Sequence, residues 1–92
     1  MKTIFDWDSN KNLDNLQKHG IDFGDAQHAF FDPYRVILKD VSHSTKSEVR
    51  YFCIGKIDNG IVTVRFTDRN KVIRIFGAGY WRKGKKIYEK EN

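Results

Sequence analysis

The chain has 92 residues, 39% of them hydrophobic, and a net charge of +5. This size and composition suit one domain over residues 1–92 and exclude a disordered chain. No apolar run approaches the ~20 residues of a membrane span, and the N-terminal stretch MKTIFDWDSNK lacks the apolar core of a secretion signal. We therefore expect a cytoplasmic protein without a membrane partner, in which the single Cys53 is a buried hydrophobe.

The first third of the chain predicts a strand followed by two short helices. The stretch TIFDW alternates and is rich in β-forming residues, as a strand requires. DSNKNLDNLQKHG predicts a helix that Asp8 or Ser9 caps and Gly20 ends. IDFGDAQHAFFDP predicts a second helix, capped by Asp22 and stopped by Pro33. Together the two helices form an αα-hairpin.

The remaining two thirds predict strands and a final helix. The strand patterns are YRVILKD, VRYFCIGKI, IVTVRFTDR and VIRIFGA, and Asn59-Gly60 marks a tight hairpin between the second and third of these. The last segment, YWRKGKKIYEKEN, predicts a helix, although Gly84 disfavours one. The order β-α-α-β-β-β-β-α predicts an α+β fold with its helices packed on one face of an antiparallel sheet.

The excess positive charge lies in the last third of the chain. Residues 1–64 carry 8 Lys and Arg against 9 Asp and Glu, a net −1, whereas residues 65–92 carry 9 against 3, a net +6. This asymmetry indicates a polyanionic partner, either a nucleic acid or an acidic protein. The alternative is a solvated basic helix. Tyr80 and Trp81 in the same segment are either core residues or platforms on which exposed bases stack.

Strand alternation predicts a cluster of arginines on one sheet face. In IVTVRFTDR the apolar Val62, Val64 and Phe66 form the natural core side, which places Arg65 and Arg69 on the opposite face. Hairpin pairing brings Arg74 of the next strand beside one of them. Guanidinium groups gathered in this way bind phosphates well. The alternative is that they are surface arginines paired with carboxylates, of which only Asp68 is near in sequence.

The histidines do not indicate a metal site. His19 lies at a helix end, where it either caps carbonyl groups or acts as a general acid or base near neutral pH. His28 and His43 have no ligand-like spacing with it, and three scattered histidines with one cysteine do not form a zinc site. We therefore expect no metal and no cofactor.

Several motifs in their order along the chain resemble those of the BrnT-type toxins of bacterial type II toxin–antitoxin systems. The resemblance covers nearly the whole chain. The later segments SEVRYFCIG and FTDRNKVIRIF are similar to the family's Glu-x-Arg…Ile-Gly and Thr-x-Arg…Arg-Ile segments. The earlier matching residues are Phe5, Trp7, Asp8, Lys11, Lys18, His19, Gly20, Phe23, Asp32 and Pro33.

The resemblance implies a RelE-like ribonuclease fold and an RNA-cleaving activity that arrests translation. It also implies a BrnA-type antitoxin with a ribbon-helix-helix part, so that DNA is bound only indirectly, when the complex represses its own operon. An oligomer is then expected only with the antitoxin. Arg69 matches the arginine that the family associates with toxicity, and Arg74 and Lys18-His19 match further motif positions.

One position departs from the family pattern. Many members end the last strand with Ile-Ser-Ala-Arg, whereas this chain has Gly79 in place of that arginine. Two outcomes are open. Either Arg82 reaches back over the glycines and supplies the missing charge, or the catalytic apparatus is weakened and the domain mainly binds.

These observations lead to two hypotheses. In the first, the protein is a metal-free ribonuclease in which Arg69 and Arg74 clamp the phosphate, Arg82 is a third donor, and Lys11, Lys18 or His19 assists proton transfer. In the second, it is a non-catalytic basic module that binds an acidic antitoxin or a nucleic acid. The first hypothesis assigns catalysis and RNA binding to ten residues: Arg69, Arg74, Lys18 and His19 for catalysis, and Lys11, Arg65, Tyr80, Trp81, Arg82 and Lys83 for binding.

Overall fold

A computed structural model describes residues 3–92 as a five-stranded sheet with helices on both faces. The element order matches the order that the sequence predicts, and none of the helices within this range has the length and apolar composition needed to cross a membrane. The elements are β1 (Ile4–Trp7), α1 (Ser9–His19), α2 (Phe23–Ala26) with a 3-10 extension (Gln27–Phe31), β2 (Val36–Lys39), a 3-10 turn (Val41–His43), β3 (Arg50–Ile57), β4 (Gly60–Arg69), β5 (Val72–Gly79) and α3 (Arg82–Glu91).

The strands lie in the order β1-β5-β4-β3-β2. Strands β2 to β5 pair antiparallel, as predicted, but β1 pairs with β5 in parallel, so the sheet is mixed. Nearly the whole chain separates β1 from β5, so no hairpin dictates their relative direction. The position of β1 is instead fixed by its aromatic side chains, since Phe5 packs against Phe30 and Trp7 against Phe23 in the core.

The two N-terminal helices begin and end as their capping residues predict. The Asp8 carboxylate accepts hydrogen bonds from the backbone N–H groups of Asn10 and Lys11, and Gly20 ends α1 in the left-handed conformation at φ 72°. Asp22 caps α2 in the same way. The caps fix where α1 starts relative to β1, and hence which of its side chains lie beside the sheet.

The two faces of the sheet differ. The core face carries the side chains of Val62, Val64 and Phe66, and α2 and the 3-10 extension cover it. We call the opposite side the open face. Cys53 lies on the core face as predicted, where burial raises the pKa of its thiol to about 12.

Helix α3 packs on the open face, so the prediction that all helices share one face is wrong. Its Gly84 lies directly against Thr63, and a Cβ at this position would overlap the threonine hydroxyl. The glycine that disfavours a helix in the sequence is therefore the residue that lets α3 approach the sheet. This helix covers only the end of the open face near Ile54 and Thr63 and leaves the remainder accessible.

The C-terminal half of α3 is held by a hydrogen bond between two distant parts of the chain. The buried Tyr88 hydroxyl donates to the Asp32 carboxylate at 2.7 Å, and that carboxylate also accepts from the backbone N–H groups of Lys56 and Tyr34. Burial alone would raise the pKa of Asp32, but the hydrogen bonds from Tyr88, Lys56 and Tyr34 outweigh it and lower the pKa. The same bond raises the pKa of Tyr88 to about 12.

We expect Tyr88→Phe to destabilise the fold by about 1.5 kcal/mol at pH 7, because it removes a hydrogen bond to a charged acceptor. Since the pKa of Asp32 is lowered in the folded state, its contribution is fully present above the unfolded value of about 3.9 and is lost as the pH falls through the folded pKa. Urea unfolding at pH 7 and at pH 3 measures both effects. A difference between variant and wild type that is as large at pH 3 as at pH 7 would contradict the role of the charged carboxylate.

Candidate nucleic-acid interface

Four arginines from three strands lie on the open face. Strand β4 lies between β3 and β5. Its Thr67 is opposite Arg50 of β3 on one side and opposite Arg74 of β5 on the other. Arg69 is two residues further along β4, and Arg65 is two residues back. Arg74 is therefore a diagonal neighbour of Arg69, a relation in which residues on adjacent strands are roughly 7–8 Å apart. We call Arg50, Arg65, Arg69 and Arg74 the arginine cluster.

Three members of the arginine cluster are paired with carboxylates. Glu48, which precedes β3, accepts a hydrogen bond from Arg69 Nη2 at 2.6 Å and another from Arg50 Nε at 3.0 Å. These two hydrogen bonds hold the pKa of Glu48 below its usual range. Arg74 pairs with Asp6 of β1, directly opposite it in the sheet. Asp68, the only acid near these arginines in sequence, forms none of these ion pairs, and both partners come from distant parts of the chain.

These ion pairs lie at the surface. One member of each pair is exposed, Arg69 at 53% and Asp6 at 55%, and its partner is partly buried, Glu48 at 22% and Arg74 at 26%. Exposed ion pairs contribute little stability, typically below about 1 kcal/mol, so an incoming phosphate can take the place of a carboxylate at small cost. Four guanidinium groups and two carboxylates leave the cluster with a net charge of +2.

Phe76 lies beneath two of the cations. The register of β4 and β5 shifts between Arg65 and Phe66, so that Phe76 is an extra residue in β5. Its ring lies 4.3 Å from the Arg50 guanidinium carbon and 5.5 Å from Lys11 Nζ of α1, distances at which a cation is attracted to an aromatic ring. The bulge thus helps to hold Arg50 on the open face and brings α1 into the site.

Arg65 is the member of the cluster without a carboxylate. Within residues 3–92 no acidic side chain lies within 4.0 Å of its guanidinium nitrogens. The group lies over Gly77, where a Cβ would come within 3.0 Å of its Nε and Nη2. Gly77 faces this side of the sheet because the bulge at Phe76 shifts the alternation of β5. Arg65 is exposed and therefore available to a phosphate group.

Helix α1 forms a wall along the edge of the open face. Strand β1 covers only the first half of the β5 edge, and α1 continues along the second half. There the Asn15 side chain bonds to both backbone groups of Ala78, in the manner of a neighbouring strand. This contact fixes where the side chains on α1, including Lys11, lie relative to the arginine cluster.

A second group of candidate residues lies at the far end of β5. The Trp81 indole lies on Gly79, and the His19 ring meets its edge at a centroid distance of 5.3 Å. Trp81 and the neighbouring Tyr80 are partly exposed, at 37% and 39%. This contact explains why position 79 is a glycine, since a Cβ at this position would come within 2.7 Å of the indole.

We expect Gly79→Arg, which introduces the arginine of the family pattern, to lower stability by about 1–3 kcal/mol because the Cβ displaces Trp81. Gly79→Ala should show most of the same loss, since the clash involves the first side-chain carbon. Thermal unfolding measures the loss of stability in both variants. The double variant Gly79→Arg/Trp81→Ala is the control, because it removes the indole that meets the new side chain. If Gly79→Arg alone unfolds at the wild-type temperature, Trp81 is not the reason for the glycine.

The first turn of α3 adds positive charge beside Trp81. It contains Arg82 and Lys83, has no acidic residue, and lacks a side-chain cap. Basic side chains at a helix N-terminus oppose the helix dipole, so their position there is not explained by helix stability. An anion at this end would be stabilised by both the side chains and the dipole.

The ten predicted site residues thus form two groups on the open face and its rim. Arg69, Arg74 and Lys11 lie at one end, His19, Trp81 and the start of α3 lie at the other, and Arg65, opposite Gly77, lies between them. Arg74 and Gly79 are five residues apart on β5, which corresponds to roughly 15 Å. His19, and Lys18 beside it, are therefore not in the immediate surroundings of Arg69 and Arg74, and Arg82 is also at the far end.

Arg50 was missed as a site residue in the sequence. The signal was present, because Glu48-x-Arg50 opens the segment that matches the family motif, but the loop before β3 left open which face its first residue would take. Within residues 3–92 no three His, Cys, Asp or Glu side chains come together in a way that could hold a metal ion.

Comparison with models of protein families gives a match over most of the chain. A family model described as "Ribonuclease toxin, BrnT, of type II toxin-antitoxin system" matches residues 7–84, which is most of the chain. A search of curated proteins finds no significant match. The matched range includes the whole arginine cluster, Lys11, His19 and the start of α3.

Proposed function

Since this chain belongs to the BrnT family of ribonuclease toxins of type II toxin–antitoxin systems, we propose that it is a metal-independent endoribonuclease whose active site is the arginine cluster. It cleaves RNA, arrests translation and is neutralised by a BrnA-type ribbon-helix-helix antitoxin. The observation that carries the proposal is the gathering of four guanidinium groups, against two carboxylates, on the open face.

The proposed reaction uses the RNA's own 2′-hydroxyl as the nucleophile. Its oxygen attacks the adjacent phosphorus while a base takes its proton, and the bond to the 5′-oxygen breaks as that oxygen gains a proton. The products are a 2′,3′-cyclic phosphate and a free 5′-hydroxyl. Negative charge builds up on the phosphorane oxygens, and preorganised guanidinium groups stabilise this charge, often as the largest single catalytic contribution.

Within the cluster, Arg69 and Arg74 clamp the scissile phosphate, and their carboxylate partners hold them in place until RNA binds. Arg65 is the third donor, because it lies on the same strand and face as Arg69, whereas Arg82 lies at the start of α3 at the far end of the open face. Lys11 is the candidate for proton transfer, because its Nζ lies over Phe76 next to Arg50.

The far group binds the RNA strand on either side of the cleaved bond. Trp81 and Tyr80 offer aromatic surface for base stacking, worth on the order of 1–3 kcal/mol per base. Arg82, Lys83, Lys18 and His19 hold the backbone by charge. The antitoxin, in turn, carries the DNA contacts of the complex that represses the operon, and oligomers form only with it.

Labelled single-stranded RNA incubated with the purified toxin, with and without EDTA, tests the proposal. We expect cleavage to products with 5′-hydroxyl ends at the same rate in both samples. Cleavage that stops with EDTA and returns with a divalent metal would contradict the metal-free mechanism.

A second candidate function is binding without cleavage, in which the domain is a catalytically weakened module. Two observations favour it. The arginine of the family pattern is replaced by Gly79. In addition, two of the carboxylates near the cluster, Glu48 and Asp8, have pKa values lowered by hydrogen bonds, in Asp8 chiefly from the Lys11 backbone N–H, so that they are poor bases. The same incubation distinguishes the two functions, because retention of uncut RNA on the protein is the outcome expected of the module.

A further inference from the structure

The edge strand β2 has an unpaired side. The Asp40 N–H donates to the Arg50 carbonyl, and by alternation Leu38 and Val36 are the residues of β2 that bond to β3. The N–H and C=O groups of Ile37 and Lys39 therefore point away from the sheet. Within residues 3–92 no strand lies beyond β2 to receive them. The outer side of this strand thus offers two donors and two acceptors to another chain.

Exposed apolar side chains are concentrated at this strand. Ten large hydrophobic residues of the described chain are exposed, and four of them, Tyr34, Ile37, Leu38 and Val41, lie within eight positions around β2. Val41 is 75% exposed and Ile37 48%. Proteins ordinarily protect sheet edges with charge, proline or cover, so an apolar edge of this kind indicates a partner.

A groove lies on each side of the strand. On the core face, Ile37 borders a groove of about 500 Å³ that Tyr51 and Phe31 also line. On the open face, Leu38 borders one of about 250 Å³ between the sheet and α3, lined also by Phe52 and Ile87. Side chains of an added strand alternate between faces, so successive side chains of one extended segment would enter the two grooves in turn.

We propose that β2 is the docking site for an extended, acidic segment of the antitoxin, which adds a sixth strand to the sheet and places alternate apolar side chains in the two grooves. The partner's identity as an antitoxin rests on the proposed function, whereas the mode of binding rests on the strand itself. Main-chain hydrogen bonds at a sheet edge supply affinity, and the flanking grooves supply specificity.

The charges around β2 favour an acidic partner over a second copy of this chain. Lys39 and Lys83 line the groove on the open face, to which residues 3–92 contribute no acidic residue, and Arg35 lines the groove on the core face, where Asp68 lies further in towards β4. Two copies joined at β2 would bring these cations together in chains that each carry +5. An acidic segment instead pairs with them, and like-charge contacts disfavour the wrong partner.

A backbone substitution tests the proposal without altering the arginine cluster. Lys39→Pro removes an N–H group that points away from β3, so it leaves the ladder between β2 and β3 intact; proline is tolerated at such edge positions. Lys39→Ala is the matched control, since it removes the same side chain and keeps the N–H. With a co-expressed BrnA-type antitoxin, we expect the proline variant to bind at least about tenfold more weakly than the alanine variant.

Amide hydrogen exchange provides a second measurement that does not depend on any variant. The Ile37 and Lys39 amides should exchange rapidly in the free toxin and become protected in the complex with the antitoxin. Equal affinity of the two Lys39 variants, or unprotected amides in the complex, would overturn the proposal. So would protection by a toxin homodimer or by RNA in place of the antitoxin.

RNA cleavage and antitoxin binding, measured on the same variant, distinguish failure of the docking proposal from failure of the proposed function. Cleavage of RNA by the free Lys39→Pro toxin reports on the active site alone and should equal that of wild type. If RNA cleavage is normal but the antitoxin binds the two Lys39 variants equally well, the ribonuclease proposal stands and the docking proposal fails. If RNA is not cleaved but the antitoxin binds Lys39→Pro more weakly than Lys39→Ala, the docking proposal stands and the ribonuclease proposal fails.

Discussion

Replacing Arg69 with alanine is expected to relieve the growth arrest that the toxin causes when it is expressed without its antitoxin. In vitro, we expect the cleavage rate to fall by about 10²- to 10³-fold, the effect of removing one preorganised donor from a site where negative charge develops. The melting temperature should stay nearly unchanged, because the Arg69 side chain is 53% exposed and Glu48 keeps its bond to Arg50.

Two further variants serve as controls for Arg69→Ala. Arg69→Lys keeps the positive charge but loses the planar fork of donors, so it should recover only part of the activity. Arg35→Ala removes an exposed arginine that is not part of the cluster and should leave cleavage unchanged. Full toxicity of Arg69→Ala would refute the catalytic role of this residue. An equal fall in the cleavage rate for Arg35→Ala would show that the loss reflects net charge and not the position of Arg69.

The largest expected effect on stability comes from Asn15. Its side-chain amide donates to the carbonyl groups of Ile21 and Ala78 and accepts from the Ala78 N–H, all in buried surroundings. Asn15→Leu has a similar volume but leaves these three backbone groups without partners. Each unsatisfied buried group costs about 1–3 kcal/mol, so we expect a loss of about 3 kcal/mol or more and a melting temperature lowered by roughly 12 °C or more.

The control for Asn15→Leu is Gln17→Leu, which places the same side chain at an exposed position of the same helix. It should change stability by less than about 0.5 kcal/mol. Because Asn15 attaches α1 to the edge of β5, its loss also loosens the wall that carries Lys11, so cleavage should fall below the value expected from the unfolded fraction. A melting temperature for Asn15→Leu equal to that of Gln17→Leu would show that the amide does not substitute for a strand.

The sequence predicted those parts of the site that depend on local periodicity. Alternation along β4 was sufficient to place Arg65 and Arg69 on one face, and the hairpin at Asn70 placed Arg74 beside them. Capping residues located α1 and α2 for the same reason, since Asp8 and Gly20 act within one turn of the chain. The catalytic and binding roles of these residues remain predictions.

The parts that were not predicted depend on contacts between distant segments. Glu48 and Asp6 reach the arginines only once the sheet has formed, so sequence proximity pointed to Asp68 instead. The bulge at Phe76 brings Gly77 beneath Arg65, and no local pattern marks it. Similarly, the packing of Gly84 on Thr63 decides that α3 lies on the open face.

The central claim is that RNA is held by the arginine cluster, and the side-chain Nε–Hε signals of the arginines test it most directly. Titration with a 2′-O-methyl RNA, which binds without being cleaved by the 2′-hydroxyl route, should shift the signals of Arg65, Arg69 and Arg74 and leave that of Arg35 in place. Binding that leaves the three cluster signals unchanged would contradict the account.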